Sequence, residues 1–230
     1  FLISIQTHDH VGNRVRGERL GQLIEPAQQR LAAGLLLLSP YLPLLFMGEE
    51  YGETRPFPFF CDFGDPALQK AVREGREREW GGNDGAAKGG AADGDVPDPN
   101  ALSTFEAARL SWHWSSDATR EGLRRLYTDL LTARRTWPAL RDFHHREAEL
   151  IAVRGHARLL CLRRGNPQNP AQQICSVFNL SSLTEPLPAE LCRESLLLAS
   201  EDAKYGGGGQ SLVQLAPWSF AVFGQQAATS

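Results

Sequence analysis

No CxxC pair occurs anywhere in this sequence. Its four cysteines, Cys61, Cys161, Cys175 and Cys192, fall at spacings that make no zinc pattern with the six histidines. Cys161 and Cys175 lie in apolar runs and read as buried thiols, which suits a reducing, cytoplasmic setting; a disulfide between two of the four is the alternative. Also missing are a P-loop, a dinucleotide fingerprint and a nucleophile elbow. The GGGG run at 206–209 has neither the Lys-Ser/Thr nor the strand–helix context that phosphate binding needs, and reads as a bare loop. There is no basic stripe: 24 Lys and Arg are interspersed among 27 Asp and Glu, for a net charge of −3, so no nucleic-acid partner is expected. Nor is a membrane partner expected. The longest apolar run, residues 31–46, is broken by Pro40 and Pro43 and is too short to span a bilayer, and no signal-peptide pattern is present.

What is present suffices for a folded core. Apolar residues make up 42% of 230, enough for one large domain or two small ones. The chain opens directly on an apolar run, Phe1 to Ile5, which reads as a strand buried on both faces. A glycine-containing loop follows to Gly21. Pro26 then suits a first helical position, residues 27–38 are apolar nearly all round, and Ser39-Pro40 ends the helix. Leu44 to Met47 reads as a second buried strand closed by Gly48, so the first fifty residues predict a βαβ unit. Two doubly buried strands need neighbours on each side. A (β/α) barrel of which only the last two strands are present would supply them, and the chain is accordingly expected to be the C-terminal part of something longer.

Further along, Asp65-Pro66 starts a helix that runs to about Trp80, and residues 81 to about 103 read as a flexible loop rich in Gly, Ala and Asp. Ser116 or Asp117 caps another helix, with Leu123, Leu126, Tyr127, Leu130, Leu131 and Trp137 on one face and Pro138 as its stop. Past Phe143 the texture turns to β. Strands are predicted at 150–153, 159–162, 174–178, 195–198, 212–215 and 220–223, with Gly155-His156 as a hairpin turn. The fold class is thus α/β plus β: residues 1–143 form the α/β part, and 144–230 form a small antiparallel β domain of sandwich type.

Catalytic groups of a barrel sit at the C-terminal strand ends. Asp9, within QTHDHVGNR, follows the first strand, and Glu49 and Glu50 follow the second, so three carboxylates could face one pocket. Paired carboxylates are what glycoside hydrolysis requires, and Tyr51, Phe57, Phe59, Phe60 and Phe63 just beyond could stack on sugar rings. Plainer readings stand beside these. Asp9 next to Gly12 and Asn13 could be a turn former, the two glutamates could pair with Arg14, Arg16 or Arg19, and the aromatics could be core. A metal at His8-Asp9-His10 is disfavoured, because neighbours on an extended segment point opposite ways. Trp112-His113-Trp114 and His144-His145 read as packing or surface features.

The stretches QTHDHVGNRVRGERL and LAAGLLLLSPYLPLLFMGEEYGETRPFPFFCDF resemble the end of the catalytic barrel in the α-amylase superfamily of glycoside hydrolases. Within it they are most similar to the maltooligosyltrehalose trehalohydrolases, whose C-terminal β domain SEDAKYGGGG and LAPWSFAVF also resemble. The resemblance implies the last two strands and helices of a (β/α)8 TIM barrel followed by the β domain. It implies a retaining glycosidase that needs no metal and no organic cofactor, acting on an α-glucan, maltooligosyltrehalose. It makes Asp9 the carboxylate that steadies the oxocarbenium-like transition state, with His8 and His10 as substrate-binding neighbours. Thr7 stands where relatives carry Asn, and His10 where they commonly carry Gln. The nucleophile and general acid belong to strands four and five, in the N-terminal part of the barrel, so Glu49 and Glu50 lose the catalytic role and the 230-residue piece alone is expected to be inactive. The remaining alternatives are a glycogen-branching or debranching relative, a non-catalytic carbohydrate-binding module, and a structural partner that completes another subunit's barrel.

Overall fold

The computed structural model describes residues 1–80, 96–153, 156–209 and 211–225. Strand β1 (Leu2–Ile3) is followed by two short helices, α1 (His8–Gly12) and α2 (Leu20–Leu23), then by α3 (Pro26–Leu38) and β2 (Leu42–Pro43). β1 and β2 pair in parallel, with Leu2 opposite Leu42 and Ile3 opposite Pro43, so the predicted βαβ crossover is there. Pro26 occupies the first turn of α3, and Glu25 and Gln28 exchange side-chain and backbone hydrogen bonds as a capping box. The far end stops at Ser39, whose hydroxyl donates to the Leu36 carbonyl at 2.9 Å.

Three details differ from the sequence expectation. β1 is not buried on both faces: Phe1 is 99% exposed and Leu2 62%. The second strand lies at Leu42–Pro43, not at 44–47. The Leu42 and Leu44 N–H groups donate to the carbonyls of Phe1 and Ile3, so the residue between them, Pro43, turns its missing donor away from the ladder. The segment 8–12 is helical because Thr7, extended at φ −141° and ψ 167°, caps it by accepting from the His10 N–H.

Helix α4 (Pro66–Trp80) begins at Asp65, whose carboxylate accepts from the Ala67 N–H. The loop expected at 81–103 lies outside the described residues as far as residue 95. Beyond that, Asp98 pairs with Arg73 at 2.9 Å, the Asn100 amide donates to the Gln69 carbonyl, and α5 (Leu102–Ala108) begins. α6 (Ala118–Thr136) is capped by Asp117, and buries Leu123, Leu126, Tyr127 and Leu130, while Leu131 is left 38% exposed at the edge of the stripe. Pro138 ends α6 and at the same time opens α7 (Pro138–Arg141).

The β part holds β3 (Arg146–Val153), β4 (His156–Arg164), β5 (Ile174–Asn179), β6 (Glu185–Pro186), β7 (Ser195–Ala199), β8 (Gln214–Leu215) and β9 (Phe220–Gly224). Five of these form an antiparallel sheet in the order β3-β4-β5-β9-β7, and β6 pairs with β8 separately. His156 pairs with Val153, which makes it a strand residue and not part of the turn; residues 154 and 155 lie outside the described residues. Alternation with period two sends Leu162, Phe178, Phe220 and Val222 to one face, against α3 and α6. It sends Leu159, Cys161, Cys175, Val177 and Phe223 to the other, against Leu187, Leu191 and Leu215. Gly34 of α3 has no room for a Cβ, because the Phe220 ring fills that space. Cys161 and Cys175 are buried free thiols with their sulfurs 2.7 Å apart across β4 and β5.

The GGGG run is not bare. Gly208 N–H donates to the Glu201 carboxylate at 3.1 Å and Gly209 N–H to the Glu201 carbonyl at 2.8 Å, while Gly206 and Gly209 take positive φ. The same carboxylate meets the Arg30 guanidinium of α3 at 2.7 Å. No helix among the described residues is long and apolar enough to cross a membrane.

Candidate active site

Because β1 and β2 run parallel, the segments leaving their C-terminal ends emerge on the same side. After β1 come Gln6, Thr7 and α1. After β2 comes the turn Gly48–Gly52, whose two glycines take φ of +87° and +65° around a single 3₁₀ turn, Glu49–Tyr51. That end is the rim on which the candidate residues stand.

Asp9 is exposed at the rim. His8 Nε2 lies 3.2 Å from Asp9 Oδ1, with both side chains about three-quarters exposed at 73% and 75%. The helical turn brings these adjacent side chains together, so the expectation that they diverge along an extended segment is overturned. His10 points back onto its own cap: its Nδ1 is 3.1 Å from Thr7 Oγ1, the hydroxyl that also accepts from the His10 backbone. Thr7 thus fixes the first turn on which His8, Asp9 and His10 ride. Among the described residues no cluster of three or more His, Cys, Asp or Glu could hold a metal ion.

Glu49 faces inward. Tyr127 O–H donates to its Oε1 at 3.4 Å, and Gln6 also hydrogen-bonds the carboxyl; Gln6 Oε1 in turn accepts from the Leu20 N–H at 2.7 Å. Burial is the main reason its carboxyl is pushed up to about 7. The adjoining cavity, lined by Gln6, Arg19, Glu49 and Tyr127, measures about 10 Å³, room for one water and none for a sugar. Glu49 is therefore a buried strut.

Two of the three arginines expected to pair with these glutamates, Arg14 and Arg19, bond elsewhere. Arg14 pairs with Glu18 at 3.4 Å. Arg19, 1% exposed, donates from Nε to the Arg55 carbonyl and from Nη1 to the Met47 carbonyl, both at 2.7 Å, and lies over the rings of Phe46 and Phe57. Burial lowers its pKa, with the nearby carboxylates working in the opposite direction. Gly17, at φ +67°, leaves room for the Phe57–Pro58 backbone, and its carbonyl accepts from Phe57 N–H at 2.7 Å. The GNRVRGERL and LLFMGEEYGETR stretches are thereby locked to each other.

Most of the aromatic stretch is core. Tyr51 is fully buried, Phe57 meets Phe46 and Phe60 edge-on, and Phe60 meets Phe105; only Phe59 and Phe63 are exposed, at 38% and 37%. Sequence reading missed Glu53, which is 1% exposed. Burial pushes its carboxyl up, but N–H groups of Arg55 and Ser111 and the Tyr51 hydroxyl outweigh that and hold it down to about 2. On the β part, Phe178, Tyr205, Trp218, Phe220 and Phe223 are all buried or half-buried, so among the described residues from 144 onward no exposed aromatic row exists for a glucan-binding module.

No protein-family model matches the chain. Curated relatives do. The chain is 36% identical over 222 residues to the malto-oligosyltrehalose trehalohydrolase of Rhizobium sp. (strain M-11), covering 96% of this chain and 34% of that one. It is 40% identical over 216 residues to the enzyme of that name from Mycobacterium tuberculosis, covering 94% and 34%. Against the one from Saccharolobus solfataricus it is 46% identical over 117 residues, covering 51% and 18%. Among solved structures, a Salmonella typhimurium protein assigned as an alpha amylase superposes with a TM-score of 0.74 at 32% identity, over 98% of this chain and 35% of that one. The trehalulose synthase MutB shares the fold at a TM-score of 0.53 and 18% identity, over 97% and 42%. These structural neighbours are α-amylase-family TIM-barrel enzymes. The chain spans at most about a third of the length of these curated relatives, and across that span it is similar to proteins named malto-oligosyltrehalose trehalohydrolase.

Proposed function

We propose that residues 1–143 form the last two strand–helix units of a (β/α)8 catalytic barrel, residues 144–230 its C-terminal β domain, and that the whole enzyme is a retaining α-glycosidase. It hydrolyses the α-1,4-glucosidic bond next to the terminal trehalose of maltooligosyltrehalose and releases trehalose. Asp9 steadies the positive charge that develops at the sugar ring in the transition state, and His8 and His10 contact the substrate. The nucleophile and the general acid come from the N-terminal part of the barrel, so the 230-residue piece by itself is inactive.

The observation that carries this reading is the rim: parallel β1 and β2 open at one end, and a helix capped by Thr7 presents Asp9 and His8 there, in contact with each other and open to solvent. Relatives named trehalohydrolases, aligned over nearly the whole chain, support the substrate. The test is product analysis of the enzyme containing this chain, given maltooligosyltrehalose. Free trehalose is expected, together with a maltooligosaccharide whose new reducing end first appears as the α anomer. Transferred branches or linear maltooligosaccharides alone would replace this reading with a branching or debranching one.

A further inference from the structure

The turn between α5 and α6 carries the largest exposed aromatic ring among the described residues. Trp112 is 61% exposed and sits at φ +57°, a left-handed conformation that is unfavourable for a bulky residue and persists only where the surroundings impose it. Here they do. The Ser111 N–H is held by the buried carboxylate of Glu53. Arg120 donates to Ser111 Oγ at 3.3 Å, to the His113 carbonyl at 3.0 Å and to Thr54 Oγ1 at 2.7 Å, clamping the turn from its other side.

Beneath the ring lies a braced aromatic base. Trp114 meets Trp112 edge-on at 6.0 Å, Tyr51 lies 5.4 Å from Trp114 and 6.5 Å from Trp112, and the Arg124 guanidinium covers Trp114 at 4.9 Å. Tyr51, fully buried, belongs to the 3₁₀ turn that follows β2, so this stack rises from the strand-end rim on which Asp9 stands. A rigid, outward-facing indole on a rim of that kind fits the apolar CH face of a pyranose ring, which needs a flat partner fixed in advance.

We propose that Trp112 is a stacking platform for a glucose unit of an α-glucan bound along this rim, with Glu53 and Arg120 as the residues that position it. The proposal rests on the glucan reading given above and deepens it.

Two measurements test it. In the enzyme containing this chain, Trp112→Ala should raise KM for maltooligosyltrehalose about tenfold with kcat within about twofold, and Trp112→Phe should recover most of the loss. Trp112→Gly, which suits the left-handed backbone, should show the same KM rise with a melting temperature no lower than wild type, separating the ring from the fold. Unchanged KM in both the Ala and Gly variants would overturn the platform even if trehalose is released normally. Calorimetric titration of maltoheptaose into the enzyme containing this chain gives the second measurement. Binding weakened about tenfold by Trp112→Gly supports the platform independently of which bond the enzyme cleaves; binding equal in wild type and variant, or absent from both, overturns it.

Discussion

The guanidinium of Arg19 donates to the backbone carbonyl of Met47 at 2.7 Å, and so ties the loop after β1 to the segment after β2. Its Nε–H reaches the Arg55 carbonyl as well, so one buried side chain satisfies two carbonyls on the two sides of the Glu49–Tyr51 turn.

Replacing Arg19 should therefore cost more than an ordinary surface arginine. Arg19→Ala leaves both carbonyls without this donor and is expected to lose about 3 kcal/mol or more in urea unfolding, since hydrogen bonds from charged donors contribute about 1.5–3 kcal/mol each. Arg19→Lys should recover less than half, because one ammonium cannot reproduce the two-pronged geometry. A lysine variant as stable as wild type would contradict the assigned role.

Glu49 makes stability depend on pH near neutrality. Its native carboxyl titrates at about 7, above the ordinary 4.5, so between those values the native state keeps a proton that the unfolded chain has released. The stability tied to that proton is complete below about pH 4.5 and falls as pH rises, by about 3 kcal/mol in all once pH exceeds 7. Glu49→Gln removes the titration while keeping the shape. Its stability relative to wild type should increase from pH 5 to pH 8 in paired denaturation curves; a difference that does not change with pH would refute the buried, protonated state.

The Arg30–Glu201 pair joins α3 to the loop after β7, with side chains only 6% and 9% exposed. Arg30→Met leaves the carboxylate buried with the Gly208 N–H but without its counter-charge, and should destabilise by about 3–5 kcal/mol. The double variant Arg30→Met with Glu201→Gln should regain a substantial part of that. Additive losses in the double-mutant cycle would show that the two groups act independently.

How much of the fold and the site was legible in the sequence depends on where the signal lies in the chain. Helix α3 could be read from Pro26, the apolar run and Ser39-Pro40, and α6 from the spacing of Leu123, Leu126, Tyr127 and Leu130, since packing on one face imposes that period. The central strands β5 and β9, buried on both faces, show as continuous apolar runs. β6 at Glu185–Pro186 has no such run, and β2 is displaced because an apolar stretch does not say which of its residues pair. Helix α1 is too short and polar to show a period; only the Thr7 cap could have announced it. Arg19 and Glu53 act on backbone groups brought close by folding, which no local pattern encodes. The left-handed turn at Trp112 carries neither Gly nor Asn, the residues that normally mark such a conformation.

The most direct test concerns Asp9. In the enzyme containing this chain, Asp9→Asn keeps the shape and the Thr7-capped turn but removes the charge at the rim. The expected result is a fall in kcat of about 10²–10³-fold or more, with folding and KM little changed, as for other groups that act chiefly at the transition state. Near-normal turnover by a correctly folded Asp9→Asn enzyme would contradict the assignment of Asp9 as the residue that stabilises the transition state.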